Sequence, residues 1–141
     1  MNKWILIGFA IMTLSAFTYA KQQVTEHRQE LFKKIEDNSE YLEKIIDKQD
    51  WSQATSLAQQ LSLDVLLLKA LFPSNSKGDG RSKEKIWRNK DDFNHRLNEW
   101  SLSFKKLAKS TQLKNNHDAE EALDEATSTC RSCHMKYRSL W

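Results

Sequence analysis

The sequence predicts an all-α chain folded as an antiparallel four-helix bundle. Three observations predict it. Apolar residues recur at three- and four-residue steps in four separate segments, the period of a helix with one buried stripe. No segment alternates apolar and polar residues as a half-buried strand does. Glycine (3) and proline (1) are scarce in 141 residues and gather mostly in one place, so a few long helices share one substantial loop.

The first twenty residues stand apart. Lys3 is a positive start, Trp4 to Phe17 is a nearly unbroken apolar run, and Thr18-Tyr19-Ala20 resembles a small-residue cleavage site. That is the pattern of a secretory signal peptide. The run is shorter than the ~20 residues a membrane-spanning helix needs. The expectation is cleavage after Ala20, leaving residues 21–141 as one exported domain with no further membrane attachment. The formal charge is +3, from 22 Lys and Arg against 19 Asp and Glu, and loss of Lys3 leaves +2. Read along the chain, the charges look like solvated helix faces, which argues against a nucleic-acid partner.

The first helix of the domain runs from Val24 to Ile46, its stripe built of Val24, Leu31/Phe32, Ile35, Leu42 and Ile45/Ile46. Arg28 lies on that stripe, where a charge is costly unless an anionic group meets it. Asp50 is placed to cap the second helix, with Gln53 completing a capping box. This helix carries Trp51, Ala54, Leu57/Ala58, Leu61, Val65 and Leu68, and stops at Phe72-Pro73. Ser74 to Ser82, with Gly78-Asp79-Gly80, is the turn-rich stretch. A third seam follows: Ile86/Trp87, Phe93, Leu97, Trp100, Phe104 and Leu107. Asn115 or Asn116 caps the fourth helix, whose first turn is acidic, as the helix dipole favours. Ala119, Ala122/Leu123, Ala126, Cys130, Cys133/His134 and Tyr137 form its inner face, and the alanines leave room for a bulky group beside it.

Cys130-Arg131-Ser132-Cys133-His134 reads C-x-x-C-H, the signature of covalent c-type haem attachment. On a helix these three side chains share one face, so two thiols can add to two vinyl groups of one porphyrin while the imidazole reaches its iron. A thioredoxin-like pair requires a βαβ context that is missing. A closed zinc site requires two more ligands, and His27, His95 and His117 are scattered. A disulfide across two intervening residues closes too short a loop to add much stability. One haem c in the bundle core is therefore expected, with His134 as axial iron ligand. Attachment outside the cytoplasm agrees with export, and a bacterial periplasm fits both. Covering a porphyrin with this lining is worth roughly ten kcal/mol at 25 cal/mol per Å².

The sixth ligand is harder to find. The domain's one methionine, Met135, adjoins the proximal ligand and cannot reach the opposite face, and His27 sits beside the apolar stripe rather than on it. Here the chain resembles cytochrome c′, a family of up-and-down four-helix bundles. The resemblance covers nearly all of residues 21–141. It rests on Cys130 to His134 followed by Tyr137-Arg138, on Arg28-Gln29, and on Leu71-Phe72-Pro73 leading through the glycine loop to Ile86-Trp87. It implies that Phe32 faces the vacant side of the iron, where low-spin relatives place a methionine. It also implies that Arg28 meets a haem propionate and that Arg138 flanks the proximal pocket. Packed core for Phe32 and a solvated chain end for Arg138 are the plainer alternatives.

An open iron behind an apolar side chain is expected to bind nitric oxide, and carbon monoxide when reduced. Bound dioxygen, being strongly polarised, wants a distal donor that Phe32 lacks. The alternative is a low-spin electron-transfer cytochrome closed by His27 or a lysine, docking an acidic redox partner. A third is an exported helical protein without haem. No catalytic triad, phosphate-cradling loop or paired-carboxylate site is present, so enzyme turnover is not expected. The resemblance further implies a homodimer through the first two helices, for which Tyr41, Trp51 and Leu66 are candidate contacts.

Overall fold

In a computed structural model, the backbone is described for residues 3–139 and the side chains for residues 22–139. The export segment, residues 1–20, lies outside the described side chains. Five helices follow in order: α1 (Lys3–Asp47), α2 (Trp51–Leu67), α3 (Lys85–Arg88), α4 (Lys90–Gln112) and α5 (Asn116–Tyr137). Four are long, and among the described residues there is no strand beyond an isolated bridge between Ser82 and Arg138. No helix in the described part is long and apolar enough to cross a membrane.

Both short connections use one device. Gln49 (φ 57°) and Lys114 (φ 55°) take the left-handed conformation. The next amide then returns to a carbonyl of the last turn, Asp50 to Ile45 and Asn115 to Ser110, each at 3.0 Å. The following Asx side chain caps the new helix: Asp50 accepts from the Gln53 amide and Asn115 from the Asp118 amide, both at 3.2 Å. The expected capping box is only half formed, because the Gln53 side chain instead accepts from the Tyr41 hydroxyl.

The core is one cluster, with Leu42, Ala54, Ala58, Leu61, Val65, Phe104, Leu107, Ala119, Ala122 and Ala126 fully covered. Small polar side chains let α2 and α4 approach closely. Ser62 and Ser101 share a 2.8 Å hydroxyl contact, and Ser101 also donates to the Ser62 carbonyl. Asp64, 2% exposed, pairs with Lys34 at 2.7 Å and ties α2 to α1. The alanines of α5 belong to this closed end. They bring helices together there rather than leaving room for a bulky group.

The seam expected as one third helix is broken at Asn89 (φ −122°, ψ 54°), which separates α3 from α4. Between α2 and α3, short 3-10 turns at Leu68–Leu71 and Ser74–Ser76 carry the loop across the other end of the bundle. Cations from the neighbouring helices hold its carbonyls: Lys90 takes that of Phe72 at 2.9 Å, and Arg28 reaches those of Leu71 and Asp79 at 3.4 Å. The Trp87 indole donates to the Pro73 carbonyl at 2.8 Å. Gly80 takes the left-handed conformation (φ +62°) that glycine adopts without strain, and a Cβ there would press on the Gln29 side chain at 3.3 Å. Its neighbours join the end of α5, Lys83 N to Tyr137 O at 2.9 Å and Ser139 N to Arg81 O at 2.7 Å.

Candidate haem site

That loop props the bundle open at one end, and a cavity of about 440 Å³ lies there. From α5 it is lined by Cys130, Cys133, His134 and Tyr137, from α1 by Arg28, Phe32, Ile35 and Glu36, and from the loop by Gly80 and Arg81. The helical spacing puts both thiols and the imidazole against one space, as the C-x-x-C-H motif requires. Both cysteines are free and partly buried. Burial pushes both thiols up, Cys133 to about 11, so each is a neutral S–H at physiological pH. Burial also lowers the His134 pKa, and the nearby Arg138 and Arg81 lower it further while Glu36 opposes them. Its imidazole is therefore neutral with a lone pair to offer a metal.

Arg28 is 2% exposed. Its guanidinium stacks 4.5 Å above the Phe72 ring and donates to the Thr25 hydroxyl at 3.1 Å. Burial lowers its pKa and the charge of Asp79 opposes that. A cation so placed on a cavity wall is suited to a carboxylate. Phe32 packs edge-on against Phe72, with ring centroids 6.4 Å apart. Phe72 in turn meets Phe93 at 4.7 Å, and Phe93 meets Tyr137 at 5.1 Å. An aromatic chain thus runs from the α1 wall of the cavity to the α5 wall.

Arg81 was not singled out in the sequence, and neither were the polar roles of Tyr137 and Trp100. Arg81 reaches the cavity only because the loop pairs with the end of α5, a contact between residues some 55 apart that no local pattern signals. Tyr137 donates its hydroxyl to Asp92, which also takes Lys136 at 2.7 Å, and these bonds lock the end of α5 onto α4. They hold the Asp92 carboxyl well below the usual carboxylate range, Lys136 contributing most and Tyr137 next. Trp100, expected as plain core, lines the cavity 5% exposed, and its indole N–H has no acceptor among the described residues.

These features fit a haem: an apolar space of the right order, two neutral thiols and an imidazole on one helix face, a buried guanidinium, and a buried N–H awaiting a partner. His27 does not take part. It is exposed and lines a separate surface hollow with Gln23, Val24, Glu26 and Glu30. His95 and His117 are exposed as well. Among the described residues lining the cavity, His134 is the sole histidine and there is no methionine. Lys33, the one lysine there, is mostly exposed and pairs with Asp37 at 2.9 Å.

Residues 23–138 match the family model described as cytochrome c′. No curated protein sequence matches the chain. Among solved structures, one named cytochrome c′ is 18% identical, with a TM-score of 0.76 over 84% of this chain and 97% of its own. A ferrous cytochrome c′ variant from Alcaligenes xylosoxidans with bound nitric oxide is 17% identical, with a TM-score of 0.77 over 86% and 97%. A carbon-monoxide-bound variant of the same protein is 18% identical, with a TM-score of 0.76 over 84% and 96%.

Proposed function

The chain belongs to the cytochrome c′ family, whose members carry covalently attached haem c, and on that premise we propose that it is a periplasmic, high-spin cytochrome that binds nitric oxide and carbon monoxide at a five-coordinate iron. One observation carries the reading. The cavity that holds His134 is faced from α1 by Phe32, with no second histidine or methionine on the described lining. The gas-bound Alcaligenes structures share this fold and support the same direction.

The haem supplies an iron that takes one electron and a diatomic ligand. The chain's residues do the rest. Cys130 and Cys133 would tether the porphyrin edge as thioethers, and His134 would hold the iron through its neutral imidazole. Arg28 would meet a propionate, trading its long contacts with loop carbonyls for a charge-assisted bond. Phe32 excludes water and offers no hydrogen bond, which disfavours a polarised dioxygen adduct. Arg138 stands beside His134 with Arg81, where both cations oppose protonation of a displaced imidazole. Scavenging or tolerance of nitric oxide needs no turnover beyond redox reaction with the bound gas, and we assign no enzymatic activity.

A homodimer through α1 and α2 belongs to the same proposal. Trp51 and Leu66 are partly buried and Tyr41 is exposed, while Leu63 and Leu67, at 55% and 58% exposed, add apolar surface on α2. The test of the gas-binding reading is optical. Ferric, ferrous and gas-treated spectra should show a high-spin haem that shifts on adding carbon monoxide or nitric oxide to the reduced protein. A sharp low-spin ferrous α-band unmoved by either gas overturns it in favour of the electron-transfer alternative.

A further inference from the structure

Charge is uneven along the sequence, and the fold gathers two basic segments at one end. Residues 77–90 and 131–138 carry nine Lys and Arg against two Asp and Glu, a balance of +7. The other 119 residues carry thirteen against seventeen, a balance of −4. The two basic segments lie some 40 residues apart, and the fold joins them. The Ser82–Arg138 bridge and the backbone bonds of Lys83 and Ser139 set the loop against the end of α5. Asp91 and Asp92 open α4 at the same end, and Asp92 pairs with Lys136 at 2.7 Å. With both counted, the end beside the cavity mouth keeps a balance of +5 against −2 for the remainder.

The cationic end also carries an apolar centre. Met135, 68% exposed, follows His134 and lies one turn from the exposed Arg131. Exposed Lys85 stands on the loop and α3 side, where exposed Lys77 and Arg88 share the Glu84 carboxylate. Opposite charges on two proteins steer encounter, and an apolar contact at the centre then fixes the docked pair. We propose that this end, formed by residues 77–90 with the last two turns of α5, docks the acidic face of a one-electron carrier protein and brings it to the mouth of the cavity lined by His134. One electron passes from the carrier to ferric iron, leaving oxidised carrier and ferrous haem, and no bond is made or broken. Ferrous haem is the form that binds carbon monoxide, so the surface serves the function proposed above and rests on that reading for its purpose.

The test uses the holoprotein with a strongly acidic plant-type [2Fe–2S] ferredoxin as probe. Stopped-flow reduction by the reduced ferredoxin should slow steeply as salt is raised past the ~10 Å screening length of 0.1 M solution. The triple variant Lys77→Glu, Lys85→Glu, Arg131→Glu should lose about tenfold or more in rate at low salt. An equal charge change at the far end, Lys44→Glu, Lys48→Glu, Lys114→Glu, should stay within about twofold. A gallium-substituted, redox-inert ferredoxin should shift amide NMR signals confined to residues 77–90 and 131–138. Salt-independent reduction, equal loss in both triple variants, or shifts spread elsewhere overturn the proposal. So does binding of phosphatidylglycerol vesicles through the same three residues without localised ferredoxin shifts, since a lipid surface is then the occupant. Carbon monoxide uptake by each variant is recorded separately, so a failure of gas binding is not confused with a failure of docking.

Discussion

Removing the Phe32 ring should speed gas entry by an amount the packing allows to be worked out. An aromatic side chain buries ~150 Å² or more, worth ~4 kcal/mol at 25 cal/mol per Å². Its edge-on contact with Phe72, at 6.4 Å between centroids, adds ~0.5–1.5 kcal/mol. A ligand does not strip the ring bare; it needs the ring to swing off Phe72 and off the iron. Taking between a third and a half of the total gives ~2 kcal/mol, or roughly 30-fold in rate. Flash photolysis of the ferrous carbon monoxide complex of Phe32→Ala should show recombination faster by about that factor. Phe32→Met supplies the control, because a thioether there can close the iron and should convert the spectrum to low spin. A rate within twofold of the parent in the alanine variant would refute the placement of Phe32 over the iron.

Three further outcomes follow from the same geometry. Gln49→Gly and Lys114→Gly remove the strain of left-handed backbone and should each raise stability by ~0.5–1 kcal/mol in urea unfolding; a loss would show that their side chains matter more than their φ. With its pKa pushed up to about 11, Cys133 in haem-free chain holds roughly a hundredfold less thiolate at neutral pH than an ordinary cysteine, so alkylation should be slow and climb to about pH 11, and a plateau near pH 8–9 contradicts it. Asp92 is lowered in the fold, so its contribution is complete above the unfolded-state value near ~4 and drains as pH falls through the folded-state one. Thermal melts of Asp92→Asn should therefore lie below the parent at pH 7 and converge on it toward pH 2; a constant gap would mean the loss is steric.

How much of this was legible in the sequence depends on the range of the interaction. Four helical stripes, the Asp50 and Asn115 caps and the grouping of Cys130, Cys133 and His134 are local, set by spacing and dihedral preference, and they stand in the structure as read. The break at Asn89 was hidden because the apolar seam runs across it in phase: Ile86 and Phe93 are both buried although they belong to different helices. Ala119, Ala122 and Ala126 were misread because small size looks the same whether it admits a cofactor or another helix. Only the position of the loop decides, and the cavity begins at Cys130, about one turn beyond Ala126. The exposure of Leu63 and Leu67 was not read from the sequence, because hydrophobicity does not say which side of a helix lacks a neighbour.

The loop between α2 and α3 therefore matters more than its polar composition suggests. It covers the end of the bundle, presents the Leu71 and Asp79 carbonyls to Arg28, and pairs with the end of α5 so that Arg81 joins Arg138 beside His134. Its left-handed Gly80 passes close to the Gln29 and Thr25 side chains without strain. A Cβ at this point would be relieved by a shift of the flexible Gln29 amide or of the loop. A shift of the loop would disturb its pairing with α5, through Lys83 N to Tyr137 O and Ser139 N to Arg81 O, and so loosen the His134 end of the helix.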